Sequence, residues 1–393
     1  MQLNTMKDIL LYLQNMKLSD GIQEPMCKEL LKEVNRITLN ADYISEDAES
    51  SSLCKPKSHI FFLKTHKTAS STIMNILFRF GETRNLTFAF PSNNMAQFYY
   101  PGYFAASQVE GFSEENYKTF HIMCHHMRFQ LTEVEKVMPN DTFYFTILRN
   151  PVSLMESSFS YYKGTQSFSR AKSLEDFMNN TSKFYKFSNN YAKNCMTFDL
   201  GYDHNGQEST EHFKLIQQAV KTTFDLVLIT EYFDESLVLL KNALCWTFDD
   251  VLSFPLNSRS NNTKMSLSPE TQDKIKSWNQ LDWQLYVYFN RSFWDQVHKF
   301  GKERMKHEVT ELRRRRAEMS ETCLLGEVGP EDIRDKSLRP FQYGMAKIIG
   351  YNLKSGLGVA EQLLCRRLVT PELQYSDLLR VKQQQRTKKT PKK

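Results

Sequence analysis

Apolar runs and apolar residues at helical spacing alternate along the middle of the chain. Four runs have the length of a buried strand: 60–63, 119–124, 142–148 and 224–230. After the first run, apolar side chains recur from Ser70 at the spacing of a helix, and a further helix is predicted at about 234–246. Strands separated by helices in this order predict a parallel sheet that is covered on both faces.

The remaining segments predict how this sheet is extended. Residues 84–118 mix aromatics with Asn, Ser, Gly and Pro and are predicted to be irregular, whereas 167–200 predict broken helices. Ser268 and Pro269 suit the start of a helical region that continues, with breaks, to about Thr322. The fold class expected is α/β, a central parallel sheet flanked by helices with a helix-rich C-terminal part.

The loop between the first strand and its helix carries the clearest chemistry. It reads Lys64-Thr65-His66-Lys67-Thr68-Ala69, and Ser70, Ser71 and Thr72 open the helix. A strand, a tight polar turn and a helix start together direct backbone N–H groups and the helix dipole at an anion. Two lysines add charge and the hydroxyls add donors, so these residues predict a phosphate-binding loop.

The loop is not of the Walker type, because no glycine lies between Cys54 and Gly81. It resembles the 5′-phosphosulfate loop of sulfotransferases that use PAPS (3′-phosphoadenosine 5′-phosphosulfate), in which a lysine precedes Ser or Thr by three and four residues. Arg149, after the strand at 142–148, and Ser157, eight residues on, match the 3′-phosphate site of the same enzymes. An arginine suits a phosphate because its planar fork binds two oxygens at once.

Longer stretches resemble one family of such enzymes. LKTHKTASST, HIMCHHMRF, VMPNDTFYFTILRNP and FDESLVLLK are similar to the galactose-3-O-sulfotransferases, over about 60–374. The resemblance implies a P-loop-like sulfotransferase fold and transfer of a sulfuryl group from PAPS to the 3-hydroxyl of a terminal β-galactose. VMPNDTFYFTILRNP and SPETQDKIKSWNQLDWQLYVYFNRSFW are more similar to members acting on glycoprotein glycans, with galactosylceramide as the alternative acceptor.

Sulfuryl transfer needs a cation at the leaving oxygen and a base for the acceptor hydroxyl. Lys67 is predicted to serve the leaving oxygen, with Lys64 assisting. The base is predicted to be His66 or His126, both of which match histidines of the family motifs, whereas His125 does not clearly do so. The alternative role for His66 is to bind a sulfuryl oxygen. Three glutamates stay open as further candidates for the base: Glu133, Glu135 and Glu156. Glu231 is interpreted as a strand-end residue that hydrogen-bonds the acceptor. The mechanism requires no metal.

Charge and domain boundaries qualify the choice of partners. The net charge is +6, but the last fourteen residues contribute +7, which leaves the body at −1. A nucleic-acid partner is therefore not expected, since such proteins carry their basic excess on the folded domain. The predicted divisions are an N-terminal helical and linker segment at 1–54, a sulfotransferase domain at 55–378 and a disordered basic tail at 379–393.

The cellular address follows from the resemblance. Family members are anchored in the Golgi by an N-terminal membrane helix, whereas no stretch here approaches the roughly 20 apolar residues that span a bilayer. Seven scattered cysteines without CxxC pairs disfavour a zinc site, and six Asn-x-Ser/Thr sequons are compatible with a lumenal protein. We expect the Golgi lumen.

Two other functions fit parts of this pattern. A P-loop kinase acting on a sugar or nucleotide would share the strand, loop and helix, but the Walker glycines are missing. A non-catalytic glycan-binding member of the family would bind the acceptor without turnover. Both phosphate sites are present in the sequence, which favours the enzyme.

Overall fold

A four-stranded parallel sheet forms the centre of the protein. The computed structural model describes residues 54–113, 120–164, 167–206, 209–260 and 263–389. The strands of the sheet, numbered in chain order, are β1 (Ile60–Leu63), β2 (Ile122–Met123), β3 (Phe143–Leu148) and β4 (Leu226–Ile229). They lie in the order β2-β1-β3-β4, and all neighbours are parallel.

Helices cover the two faces of the sheet and extend beyond it. The helices, numbered in chain order, are α1 (Ser70–Thr83), α2 (Leu131–Val137), α3 (Pro151–Tyr162), α4 (Leu174–Asn179), α5 (Thr181–Phe184), α6 (Cys195–Asp199), α7 (Thr210–Thr223), α8 (Phe233–Leu244), α9 (Phe248–Val251), α10 (Pro269–Trp278), α11 (Gln280–Phe300), α12 (Lys302–Cys323), α13 (Val359–Val369) and α14 (Glu372–Lys389).

The sheet is apolar because both of its faces are covered. Every residue of β1 is fully buried, and Phe62 stacks on Phe145 of β3 with ring centroids 4.8 Å apart. On α1, the apolar side chains at helical spacing are at most 1 % exposed. The predicted parallel sheet flanked by helices is therefore confirmed.

The order of the strands determines where a ligand site can form. The chain runs from β1 outward to β2 on one side, and from β3 outward to β4 on the other. Between β1 and β3 the connections diverge, which leaves a crevice at the carboxyl ends of the two strands. The loop after β1 and the loop after β3 both open into this crevice.

A second, smaller sheet lies in the C-terminal part. Its strands are β5 (Leu324–Val328) and β6 (Gly350–Leu353), which pair antiparallel. A disulfide joins Cys323 to Cys365 on α13, and both sulfurs belong to a separate apolar cluster. This unit fixes the position at which the chain turns back toward the main sheet through α13 and α14.

Several predicted boundaries differ from the structure. The strand expected at 119–124 is only two residues long, and residue 119 lies outside the described residues. The helical region expected from Ser268 is present as α10, α11 and α12, with breaks at Asn279 and Gly301. The segment expected at 1–54 lies outside the described residues except for its last position.

The tail predicted to be disordered from 379 is helical as far as Lys389, so that boundary was wrong. Leu379 and Arg380 are each only 4 % exposed, and Lys382 pairs with Glu82 of α1. The sequence pattern did not predict this helix because the segment is polar. Its charged side chains instead form separate ion pairs with residues of the folded domain. None of the described helices combines the length and apolarity needed to cross a bilayer.

Candidate active site

The loop after β1 adopts its anion-binding shape without glycine. Lys67 and Ala69 both have positive φ angles, of 60° and 61°, and Ala69 directly precedes α1. Alternation of this kind turns successive backbone N–H groups toward one concave point. Ser70 donates to the carbonyl of Thr65 at 2.8 Å, and Thr65 donates to the carbonyl of Ile147 at 2.6 Å. These bonds hold the loop in a conformation that its side chains disfavour.

The two predicted phosphate loops are joined to each other. Arg149, after β3, donates through Nη1 to the carbonyl of Lys67 at 2.7 Å. Thr230, after β4, donates to the carbonyl of Thr68 at 2.9 Å. Ser157 lies on α3, which begins with Pro151 and is capped by the side chain of Asn150. The structure therefore brings the ends of three strands into one assembly.

A cavity of about 500 Å³ lies over these loops. It is within the size range of small-molecule and cofactor sites. All but one of the predicted site residues line it: Lys64, His66, Lys67, Thr68, Ala69, Ser70, Ser71, Thr72, His126, Arg149 and Ser157. The exception is Thr65, which is fully buried behind the loop and holds it to β3.

The cavity is strongly cationic. The cations that line it are Lys64, Lys67, Arg149, Arg259 and Lys264. Within the described part of the chain, Glu372 supplies the one carboxylate of the lining. Desolvation, and then repulsion from Arg259 and Lys64, lowers the pKa of Lys67 to about 7. Cations crowded in this way indicate a polyanionic ligand, because its charge would relieve their repulsion.

Lys64 and Lys67 have different partners. The ammonium of Lys67 lies 3.6 Å from the ring centroid of Tyr161, in a cation–π contact. Lys64 is 2 % exposed, and its Nζ lies 3.0 Å from Glu372 Oε2 and 2.8 Å from His126 Nε2. Glu372 also accepts a 2.6 Å hydrogen bond from Ser71. Lys64 is thus held in place by α14, whereas no carboxylate of the described residues forms an ion pair with Lys67.

The two candidate histidines stack but differ in their bonding. Their rings lie 3.8 Å apart at 9°. Both ring nitrogens of His126 face Lys64: Nδ1 lies 2.8 Å from its carbonyl and Nε2 lies 2.8 Å from its ammonium. His66 instead places Nδ1 at 3.0 Å from the carboxylate of Asp199, and its Nε2 is buried without a partner. Of these two histidines, only His66 therefore keeps a ring nitrogen, the buried Nε2, without a hydrogen-bond partner among the described residues.

The other candidate bases lie away from the cavity. His125 contacts Ser376 at 2.8 Å within an aromatic cluster, and burial lowers its pKa to about 3. Glu133 accepts from the backbone of Ala106 at 2.9 Å, and Glu135 is exposed on α2.

Two further carboxylates are engaged in structural contacts. Glu156 is ion-paired to Arg259. Glu231 accepts from the backbone N–H of Asn150 at 3.0 Å, so it caps the loop after β3 and does not contact the cavity where an acceptor would lie.

One group of described side chains has the composition of a metal site. Donor atoms of His66, Cys195 and Asp199 lie within 4.8 Å of one another. Burial holds the pKa of the Cys195 thiol well above its usual range, which disfavours the thiolate that metals bind. The Asp199 carboxylate already accepts from His66 and from Tyr100 at 2.8 Å. This donor set fits a hydrogen-bonded histidine better than a metal cage, and the absence of a metal from the reaction stays a prediction.

Sequence reasoning missed three residues of the site. Asp199 lies at the end of α6 and Arg259 in an irregular segment, and neither follows a recognisable motif. Glu372 belongs to PELQY at 371–375, one of the segments that resemble the family, so that resemblance was the one available signal. The contacts of Glu372 with Lys64 and Ser71 explain why the start of α14 reaches the phosphate loop.

Comparisons with known proteins identify the family of the chain. Residues 9–383 match the family model described as galactose-3-O-sulfotransferase. Galactose-3-O-sulfotransferase 2 of Homo sapiens is 49 % identical, covering 81 % of this chain and 82 % of the relative, and that of Mus musculus is 47 % identical, covering 81 % and 84 %. Galactosylceramide sulfotransferase of Homo sapiens is 43 % identical, covering 82 % and 78 %. The chain belongs to the galactose-3-O-sulfotransferase family.

Proposed function

We propose that this protein transfers a sulfuryl group from PAPS to the 3-hydroxyl of a terminal β-galactose on glycoprotein or oligosaccharide glycans. The observation that carries the proposal is one cavity in which two phosphate loops, crowded cations and His66 converge, and the buried Nε2 of His66 has no hydrogen-bond partner among the described residues. A nucleotide with a phosphate at each end needs two anion sites at a fixed separation, and the joined loops after β1 and β3 provide such a pair.

The two ends of the donor are assigned to different loops. Ser70, Ser71, Thr72 and the backbone of 64–69 receive the 5′-phosphosulfate at the N-terminus of α1, where the first turn carries no acidic residue. Arg149 and Ser157 receive the 3′-phosphate. Burial lowers the pKa of Arg149, which a bound phosphate would offset.

The transfer step is assigned to His66 and Lys67. His66 Nε2 takes the proton of the galactose 3-hydroxyl as the hydroxyl oxygen bonds to sulfur. The bond between sulfur and the bridging phosphate oxygen breaks, and that oxygen keeps the electron pair. Lys67 neutralises the charge on this oxygen, and Lys64 assists while Glu372 and His126 fix its position.

The acceptor class is supported by identity to named relatives. The relatives named galactose-3-O-sulfotransferase 2 are 47–49 % identical to this chain, and the galactosylceramide sulfotransferases are 43–44 % identical. The name of the first group specifies galactose and its 3-oxygen without a lipid, and on that ground a galactose-terminated glycan is the proposed acceptor, with galactosylceramide as the second candidate. A Golgi-lumenal address is proposed with it, because the disulfide between Cys323 and Cys365 suits an oxidising compartment.

The experiment that tests the proposal is transfer of labelled sulfate from PAPS without added metal. The acceptors are galactose–N-acetylglucosamine, galactosyl–N-acetylgalactosamine and galactosylceramide, and the variants are Lys67→Ala and Arg149→Ala. We expect transfer by the unaltered protein and loss of at least about 100-fold in each variant. A folded protein that binds PAPS but transfers sulfate to none of these acceptors would support the non-catalytic glycan-binding alternative, and magnesium-dependent transfer from ATP would support a kinase.

A further inference from the structure

Both carboxylate oxygens of Asp199 are engaged beside His66. It is fully buried, and its Oδ2 accepts the backbone N–H of His66 at 2.8 Å. Its Oδ1 accepts the hydroxyl of Tyr100 at 2.8 Å, and both oxygens lie 3.0 Å from His66 Nδ1. In the described part of the chain, the ion pair of Asp199 is with His66 and with no lysine or arginine.

We infer that Asp199 is a positioning residue that makes His66 the base of the transfer step. An ionised carboxylate only accepts hydrogen bonds, so it requires the hydrogen of His66 to lie on Nδ1 and the lone pair on Nε2. The same carboxylate faces the imidazolium that forms when Nε2 takes the galactose proton. This inference rests on the proposed function and adds a residue to it.

The transfer step requires a negative charge beside His66. The proton leaves the acceptor oxygen for His66 Nε2, the oxygen bonds to sulfur, and the sulfur–oxygen bond to the donor phosphate breaks with its electron pair on that oxygen. A cation is thereby created at His66, which is 3 % exposed. Buried charge is costly unless it is paired, and Asp199 supplies the pair with no movement.

The environment of His66 contains other titratable groups that bear on this assignment. The ring stacks on His126, lies 4.6 Å from the ring of Tyr100 and meets the ring of Tyr191 edge-on at 5.2 Å. Cys195 also lies within the same cluster, and Lys64 lies beyond His126. The ammonium of Lys64 opposes a positive charge on His66, and the Asp199 carboxylate offsets it.

Hydrogen bonds from neighbouring residues hold Asp199 in place. Asp199 ends α6, and Asp282 of α11 accepts from the first turn of that helix, at 3.0 Å from the backbone of Met196 and 2.8 Å from that of Thr197. On the other side, Asn190 donates to the Tyr100 hydroxyl at 2.5 Å. Asp199 is thus held through α6 on one side and through Tyr100 on the other. Its geometry relative to His66 is set before any ligand binds, which suits a residue that orients the His66 ring.

The test compares Asp199→Asn with the unaltered protein in three measurements. An asparagine at 199 can accept the His66 backbone N–H through its oxygen while its NH₂ donates to Nδ1, which moves the ring hydrogen to Nε2. We expect kcat to fall at least about 100-fold while the Kd for adenosine 3′,5′-bisphosphate changes by less than about threefold. Nitrogen NMR of ¹⁵N-histidine-labelled protein should show the His66 hydrogen on Nδ1 in the unaltered protein and on Nε2 in the variant.

The controls separate this inference from the proposed function. Tyr100→Phe removes one hydrogen bond to Asp199 but leaves the bond between Asp199 and His66, so we expect kcat to fall by no more than about tenfold. If Asp199→Asn does not fold, Tyr100→Phe takes its place in the NMR measurement, and the His66 hydrogen is expected to remain on Nδ1 in that variant. An Asp199→Asn variant with kcat within about threefold of the unaltered protein, beside an inactive His66→Ala, would overturn the inference alone. Absence of transfer by the unaltered protein would overturn the proposed function. Independently of activity, a His66 hydrogen on Nε2 in the unaltered protein would overturn the inference about Asp199.

Discussion

His126 uses both of its ring nitrogens on Lys64. Its Nδ1 lies 2.8 Å from the Lys64 carbonyl, and its Nε2 lies 2.8 Å from the Lys64 ammonium. Because a carbonyl only accepts and an ammonium only donates, His126 is neutral with its hydrogen on Nδ1. Burial, followed by the nearby His66, holds the pKa of His126 well below its usual range. His126 therefore positions a lysine, which supports our proposal that His66 is the base.

Replacement of each histidine should separate these roles. His66→Ala is expected to lower kcat at least about 100-fold with little change in the KM for PAPS, since the base acts in the transfer step. His126→Ala is expected to raise the KM for PAPS because it releases Lys64, with a smaller loss in kcat. Steady-state kinetics on both variants checks this. Equal losses in kcat, with an unchanged KM in His126→Ala, would contradict the assignment.

Donor binding should depend on pH through Lys67. Its pKa is lowered to about 7, so the ammonium of the free protein loses its proton as the pH rises through 7, and a bound phosphate favours the protonated form. The Kd for adenosine 3′,5′-bisphosphate should therefore rise above pH 7, by at most about tenfold per pH unit, with uptake of a proton on binding.

Calorimetry at pH 8 in two buffers of different ionisation enthalpy measures this uptake. Lys67→Arg is the matched control, since a guanidinium stays protonated in this range and should bind without proton uptake. Equal uptake in both proteins would show that another group takes the proton.

The ion pair between Glu156 and Arg259 should matter mainly for stability. Their side chains are 9 % and 7 % exposed, and Glu156 also accepts from the backbone of Met265 at 3.1 Å. Glu156→Gln leaves Arg259 buried without its anion, so the free energy of unfolding should fall by about 3 kcal/mol in urea denaturation. The control is Asp273→Asn, whose exposed pair with Lys276 should be almost silent. Similar effects of the two substitutions would contradict this reading of Glu156.

Gly201 should be needed for the position of Asp199. Its φ is +93°, and a Cβ there would lie 2.2 Å from the carbonyl oxygen of Phe129, whose N–H donates to the carbonyl of Asp199 at 3.0 Å. Gly201→Ala should therefore lower the free energy of unfolding by about 3 kcal/mol and reduce kcat.

Gly164 provides a control for backbone strain alone. Its φ is +94°, and no atom of the described residues lies within 4 Å of a Cβ added there. Gly164→Ala should cost about 1 kcal/mol and leave kcat unchanged. Equal costs at the two glycines would show that the contact with Phe129 is not what restricts Gly201.

The sequence was sufficient where the site is continuous along the chain. β1, its loop and the start of α1 are adjacent, and Ser157 on α3 follows Arg149 by eight residues. Local pattern and spacing therefore sufficed to predict these residues as a site, and the structure brings them to one cavity. Asp199 reaches His66 across 133 positions, and Glu372 reaches Ser71 across 301. Such pairings depend on where α6 and α14 pack, which no local pattern encodes. The sequence therefore could not choose between His66 and His126, because their difference lies in those distant partners.

The measurement that tests the account most directly is the position of sulfate on the product. The protein is incubated with PAPS and galactose–N-acetylglucosamine, and the purified product is assigned by proton and carbon NMR. We predict a single sulfate on the galactose 3-oxygen, shown by a downfield shift of the proton at carbon 3, with none formed by the Lys67→Ala variant. Sulfate on another oxygen, or on the N-acetylglucosamine, would contradict the proposed function.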